Sequence, residues 1–116
     1  MSIRRSRSRS LAFAVPLLAA LSFGGCIRYT PEEALYRKHC ADCHGIDGAG
    51  NTPRYMGNQW ANLIDSNGKS GSGDDYTIEG AIREGVFGEM PGNSQLSDEE
   101  VKQIIAWVRH LRGEGM

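Results

Sequence analysis

The sequence predicts an all-α domain, because one helix signal stands near each end of the domain. Thr30 is a favoured N-cap residue, Pro31 follows at the first helical position, and Glu33 closes a capping box at the third. Ser97 and Glu100 form a second capping box further along the chain. The residues behind it recur at helical spacing and form one apolar face: Val101, Ile104, Ile105, Val108 and Leu111.

Length and composition narrow the class of protein. The chain has 116 residues, enough for one small domain, and it is 40% hydrophobic and 23% charged. This composition excludes a polytopic membrane protein and argues against disorder throughout. Four of the 13 basic residues are arginines in the first ten positions, whereas all 14 acidic residues follow residue 31. The chain beyond residue 25 therefore carries a net charge of −5, which makes nucleic acids and anionic membrane surfaces poor partners.

The first 25 residues have the pattern of an export signal. Arginines precede an apolar run of 13 residues, Leu11–Phe23, and two glycines follow it. A helix needs about 20 apolar residues to cross a bilayer, so this run is too short, and Pro16 interrupts it. An uncleaved membrane anchor is the alternative. We expect a signal peptide at 1–25, a tether at 26–29, the folded domain at 30–112 and a C-terminal tail at 113–116.

Cys26 comes directly after this signal. The sequence Phe-Gly-Gly-Cys over 23–26 resembles a bacterial lipobox, in which cleavage occurs before the cysteine and its sulfur carries a diacylglycerol, although Phe23 stands where that pattern usually has Leu. The alternative is ordinary cleavage nearby, which would leave Cys26 as a free thiol. The resemblance implies an exported domain in the periplasm, tethered to the membrane through a lipid on Cys26.

The middle of the chain predicts one further helix between loops. Tyr76–Arg83 is expected to form a short helix that ends at Gly85. Residues 45–51 and 65–75 are rich in Gly, Asn, Asp and Ser, which predicts loops. A domain this small buries little core and often needs a metal, disulfide or cofactor for support.

A C-x-x-C-H motif at residues 40–44 indicates a cofactor that would support this small core. Cys40 and Cys43 have the spacing of the two vinyl groups on one edge of a porphyrin, and His44 comes next, where its imidazole can bind the iron. A structural zinc site usually needs a second cysteine pair, and a thioredoxin-like motif needs a βαβ pattern. The sequence shows neither. It therefore predicts one covalently bound haem c.

Three stretches resemble the class I monohaem cytochromes c. Residues 34–45 look like the N-terminal helix and haem motif, 85–92 (Gly-Val-Phe-Gly-Glu-Met-Pro-Gly) like the axial-methionine loop, and 96–111 like the C-terminal helix. The resemblance implies a small cytochrome c fold, with three to four helices wrapped around one covalently attached haem. It also implies that the terminal helices cross, and the residues at the contact are then Tyr36, Ile104 and Trp107.

The same resemblance implies how the iron is held. Met90, followed by Pro91 on a glycine-bounded loop, matches the second axial ligand, and His44 matches the first. Family members hold the other nitrogen of the haem histidine with a proline carbonyl. Pro53 is the only proline between His44 and Met90, so it is the expected partner. The other residues considered as second axial ligand are Met56, His39 and His110.

Iron with ligands on both faces has no free position for a substrate, which implies outer-sphere transfer of single electrons rather than catalysis. We expect a carrier, not an enzyme, in a periplasmic or membrane-surface respiratory chain. Its redox donor and acceptor proteins would dock weakly and transiently, through a basic or apolar rim. Two alternatives remain open at this point. One is a haem c subunit of a larger oxidoreductase, and the other is a gas- or peroxide-binding protein in which Met90 is displaced.

Overall fold

The computed structural model describes residues 12–14, 24–65 and 73–115. Most of the predicted signal peptide, 1–25, lies outside the described residues, as does the centre of the loop predicted at 65–75. Within the described part of the chain, no helix has the length and apolar character needed to cross a bilayer.

The described residues form four α-helices and one short hairpin. In chain order these are α1 (Pro31–His39), α2 (Ala41–His44), a 3-10 turn (Gln59–Ala61), α3 (Asp75–Glu84), β1 (Gly85–Val86), β2 (Met90–Pro91) and α4 (Asp98–Leu111). The two strands are antiparallel, with Gly85 opposite Pro91 and Val86 opposite Met90. The expectation of an all-α domain is therefore correct for the helices and incomplete for the hairpin.

The N-terminal caps predicted at Thr30 and Ser97 both form, but the capping box predicted for α1 is incomplete. In α4 the capping box is complete: Ser97 N–H donates to Glu100 Oε2 at 2.9 Å, and Glu100 N–H donates to Ser97 Oγ at 3.2 Å. In α1 only the Thr30 half forms, because the Glu33 carboxylate instead accepts from Arg37 Nε at 2.8 Å, one turn further along the helix.

The haem motif interrupts the first helix. Cys40 has φ −124° and ψ −33°, so α1 ends at His39 and α2 starts again at Ala41. Hydrogen bonds nevertheless run through the break, because Cys40 N–H donates to the Tyr36 carbonyl at 2.8 Å and His44 N–H donates to the Cys40 carbonyl at 2.9 Å. The motif is therefore attached firmly to the end of α1.

The core lies where α1 and α3 each pack against α4. Tyr36 and Val101 have no exposed surface and Ile104 is 1% exposed, so these three side chains form its centre. Trp107, 9% exposed, belongs to the same cluster, and so does Cys40. The three residues expected at the helix crossing thus share one core, and that core holds the first cysteine of the motif in place.

Candidate haem site

The two cysteines, the histidine and the methionine that are predicted to bind haem all line one cavity. Its volume is about 350 Å³, within the range of about 300–1,000 Å³ that is usual for cofactor sites. Cys40, Cys43 and His44 line it from the α1–α2 segment, and Met90 and Pro91 line it from β2. Most of the remaining lining is apolar and includes Leu63, Ile78, Ala81, Ile82, Ile104 and Val108.

The two cysteines of the motif form no disulfide with each other, and both line this cavity. Cys40 is buried, and burial together with the nearby Cys43 raises the pKa of its thiol to about 12. Before haem is attached, this raised pKa keeps the Cys40 thiol protonated at neutral pH. Cys43 is partly exposed and belongs to α2, and its backbone carbonyl accepts from Thr52 Oγ1 at 3.2 Å.

His44 is held in the tautomer that an iron ligand needs. Its Nδ1 lies 2.8 Å from the carbonyl oxygen of Ala61. A carbonyl can only accept, so Nδ1 carries the proton and Nε2 keeps its lone pair. Burial lowers the pKa of the His44 imidazole, and the bond to Ala61 opposes that shift. The ring is consequently neutral, which is the form that binds metal.

The carbonyl that holds His44 corrects the prediction for Pro53. Pro53 is exposed and does not line the cavity, whereas Ala61 is 4% exposed and does. The chain between them turns twice. Asn58 Oδ1 accepts from Trp60 N–H at 2.9 Å and starts the 3-10 turn that ends at Ala61. The turn brings the Ala61 carbonyl to the histidine in the role expected of the proline.

Met90 is the methionine that shares the cavity with His44. It is half-buried on β2, and the hairpin that carries it follows α3 directly. Met56 is 73% exposed and is absent from the cavity lining, as are His39 and His110. The geometry therefore separates Met90 from the other residues considered as a second axial ligand.

This donor set fits haem c. Two thiols and an imidazole on consecutive turns, a thioether on a separate hairpin and an apolar lining are what a covalently attached porphyrin with two axial ligands requires. Among the described residues no cluster of three or more His, Cys, Asp or Glu side chains is arranged to hold a metal ion. Fold and site together define a c-type cytochrome.

Comparisons with known proteins lead to the same class. The chain belongs to the family described as cytochrome c oxidase, cbb3-type, subunit III, whose sequence profile matches residues 28–108. It is also similar to a solved structure, the KustC0563 c-type cytochrome, at 30% identity and a TM-score of 0.56, over 73% of this chain and 98% of that one. No curated protein matches the chain. Family membership implies covalently bound haem c and haem-based electron transfer.

Proposed function

We propose that this protein is a single-electron carrier with one haem c, attached through Cys40 and Cys43 and ligated axially by His44 and Met90. One observation carries the proposal: all four side chains line the same apolar cavity. The iron of haem c, when bound, supplies a reversible one-electron couple. The chain orients His44 through Ala61, excludes water with aliphatic side chains and offers Met90 as a soft ligand that favours the ferrous state.

Carbon monoxide binding by the haem-loaded protein tests the axial ligands. Wild-type protein is expected to give low-spin spectra in both oxidation states, a methionine-to-iron charge-transfer band when oxidised, and no change when carbon monoxide is added to the reduced form. Met90→Ala should lose the band and bind carbon monoxide. Met56→Ala is the matched control and should behave as wild type, because Met56 lies outside the cavity. Rapid carbon monoxide binding by the wild type would instead make this a ligand-binding haem protein.

The working environment we propose is the periplasm, with the domain tethered to the membrane. Support comes from the arginine-rich start and apolar run of the first 25 residues, followed at once by Cys26, which is exposed and free. Thr30, the N-cap of α1, stands four residues beyond Cys26, so the tether is short. Cys26→Ser should move the protein from the membrane fraction to the soluble fraction and leave haem covalently attached. A wild-type protein found only in the soluble fraction would contradict the tether.

The docking surface we propose is the tip of the hairpin beside Met90. Phe87 is fully exposed, Val86 is 43% exposed, and exposed acids at Glu84 and Glu89 flank them. Val86 and Glu89 also line the cavity, so this surface lies at its edge. An apolar centre with acidic neighbours suits a redox partner that presents an apolar patch with a basic rim. Oxidation of the reduced protein by a cationic metal complex should therefore slow as ionic strength rises, and oxidation by an anionic complex should not.

The family description favours a second candidate, a haem c subunit of a larger oxidoreductase. Contact would then be permanent instead of transient. Purification at native levels distinguishes the two: a carrier should elute as a free domain, whereas a subunit should co-purify in fixed ratio with a catalytic partner.

A further inference from the structure

Gly50 lies between the backbone of His44 and Ala61, whose carbonyl accepts from the His44 imidazole. The Gly50 N–H donates to the His44 carbonyl at 2.7 Å, and its Cα packs against the peptide of Ala61. One glycine thus contacts the backbone of the histidine and the group that orients its ring.

The approach between Gly50 and Ala61 leaves no room for a side chain. A Cβ on Gly50 would stand 2.7 Å from the carbonyl carbon of Ala61, 2.8 Å from its oxygen and 2.9 Å from its Cβ. Two of these three atoms are backbone, which cannot rotate away as a flexible side chain can. Gly50 also has φ +73°, a conformation that favours glycine. A larger residue would therefore displace the peptide of Ala61, whose carbonyl accepts from His44 Nδ1 at 2.8 Å.

Other hydrogen bonds hold the segment around Gly50 and the segment around Ala61 together beside this contact. Leu63 N–H donates to the Gly48 carbonyl at 2.7 Å, and Arg112 Nε, from the end of α4, donates to the Leu63 carbonyl at 2.7 Å. The segment around Ala61 is thereby held against the segment around Gly50.

We propose that Gly50 is a positioning residue that sets the strength of the hydrogen bond from His44 Nδ1 and, through it, the reduction potential of the haem. The inference rests on the proposed ligation by His44 and Met90. A short bond from Nδ1–H to a carbonyl makes the imidazole a stronger donor to iron, which favours the ferric state. Lengthening that bond should favour the ferrous state and raise the potential.

Gly50→Ala in the haem-loaded protein tests this proposal. We expect the ratio of reduced to oxidised protein at a fixed applied potential to rise on the order of tenfold, which for a one-electron couple is about 59 mV. In the reduced protein, the His44 Nδ1 proton should exchange with solvent faster, as measured by NMR. Both changes should occur while the methionine charge-transfer band of the oxidised form remains.

Gly57→Ala is the matched control. Gly57 has φ +82°, and no atom lies within 4 Å of the position that a Cβ would take, so this variant carries the same backbone penalty without displacing Ala61. Its potential and Nδ1 exchange should equal those of the wild type. An unchanged potential and exchange rate in Gly50→Ala would overturn the proposal and leave the proposed function intact, whereas a wild type without the methionine band would contradict the proposed function itself.

A second variant keeps the proposal testable if Gly50→Ala does not fold. Asn58→Ala removes the acceptor of the Trp60 N–H and loosens the turn that carries Ala61, without touching Gly50. The Nδ1 proton should again exchange faster. If exchange stays as slow as in the wild type, the position of the Ala61 carbonyl does not control this bond and the proposal is wrong.

Discussion

The two sides of the cavity are built in different ways. On the histidine side, three side chains donate hydrogen bonds to backbone carbonyls. Tyr36 Oη donates to the Gly45 carbonyl at 2.7 Å, and Thr52 Oγ1 donates to the Cys43 carbonyl at 3.2 Å. His44 Nδ1 donates to the Ala61 carbonyl at 2.8 Å. On the methionine side, two strands of two residues each form the hairpin, and the thioether of Met90 has no proton to donate.

This difference separates His44, the proposed ligand on the firmly held side, from Met90, the proposed ligand on the side with fewer contacts. The histidine side is continuous with the core at the α1–α4 contact, so moving His44 requires disruption of buried packing. The methionine side joins the rest of the domain mainly through α3 and through Asn93 N–H, which donates to the Ile82 carbonyl at 2.7 Å. We expect the hairpin to open at a lower free energy than the rest of the domain.

The largest contrast should come from one aromatic residue on each side. Tyr36→Ala removes a side chain with no exposed surface and should lower the free energy of unfolding by about 3–5 kcal/mol. Phe87→Ala removes a fully exposed ring at the hairpin tip and should change it by less than about 0.5 kcal/mol. Denaturant titration of the haem-loaded proteins measures both values.

Tyr36→Phe separates the contribution of the Tyr36 hydroxyl to the free energy of unfolding from the contribution of the ring. It keeps the ring and loses the bond to the Gly45 carbonyl, so it should cost about 1 kcal/mol. A Phe87→Ala variant destabilised by more than about 1 kcal/mol would show that this ring packs on the domain in solution, and the contrast between the two sides would then be wrong.

Sequence reasoning was most successful where local chemistry decides the structure. The caps at Thr30 and Ser97 and the apolar spacing after residue 100 predicted α1 and α4, and the third helix, predicted at 76–83, forms at Asp75–Glu84. The C-x-x-C-H motif is also local, so it predicts its three residues without the fold, and all three line the cavity. The prediction of Met90 as a ligand rested on the family resemblance, because nothing local distinguishes a ligand methionine from a surface one, and the structure places Met90 in the cavity lining.

The remaining errors concern contacts that the local sequence pattern does not specify. Every residue carries a carbonyl, so the one that reaches His44 depends on how the chain from Gly48 to Ala61 folds back, and a search for prolines selected Pro53 wrongly. The hairpin has two-residue strands, too short for an alternating pattern to predict. Glu33 had two partners within reach, and its pairing with Arg37 replaced half of the predicted capping box.

A glycine on the methionine side allows a second test of the comparison. Gly85 has φ +78°, and a Cβ there would stand 2.5 Å from the Met90 carbonyl oxygen and 2.6 Å from Gly92 N. Gly85→Ala should therefore separate the strands and release Met90 from iron. The expected result is loss of the methionine charge-transfer band and gain of carbon monoxide binding, with haem still covalently attached.

Gly88→Ala is the control for this variant. Gly88 has φ +76° and open space where a Cβ would stand, so it carries only the backbone penalty of about 1–2 kcal/mol and should keep the band. If Gly85→Ala also keeps the band and stays inert to carbon monoxide, the hairpin is not what holds Met90 in place, and the methionine side is firmer than its bonds suggest.

Acid should produce the smallest difference between the two sides of the cavity. It acts through one carboxylate at the start of α3 and one at the start of α4. Hydrogen bonds from Thr77 N–H and Oγ1 lower the pKa of Asp74, the N-cap of α3, from 3.8, and the bond from Ser97 N–H lowers the pKa of Glu100 in α4 from 4.5. A carboxyl whose pKa is lower in the folded state stabilises that state above its unfolded pKa. This contribution is lost as the pH falls below those values, through the lowered folded pKa.

The two carboxylates should act on different sides of the cavity. Asp74→Asn keeps an N-cap acceptor without a titrating charge, so it should weaken the loss of the methionine band below pH 3.8. Glu100→Gln should instead weaken the acid dependence of global unfolding, followed by circular dichroism, with its effect beginning below pH 4.5. If both variants change both signals equally, α3 and α4 unfold as one unit in acid, and the hairpin has no separate stability.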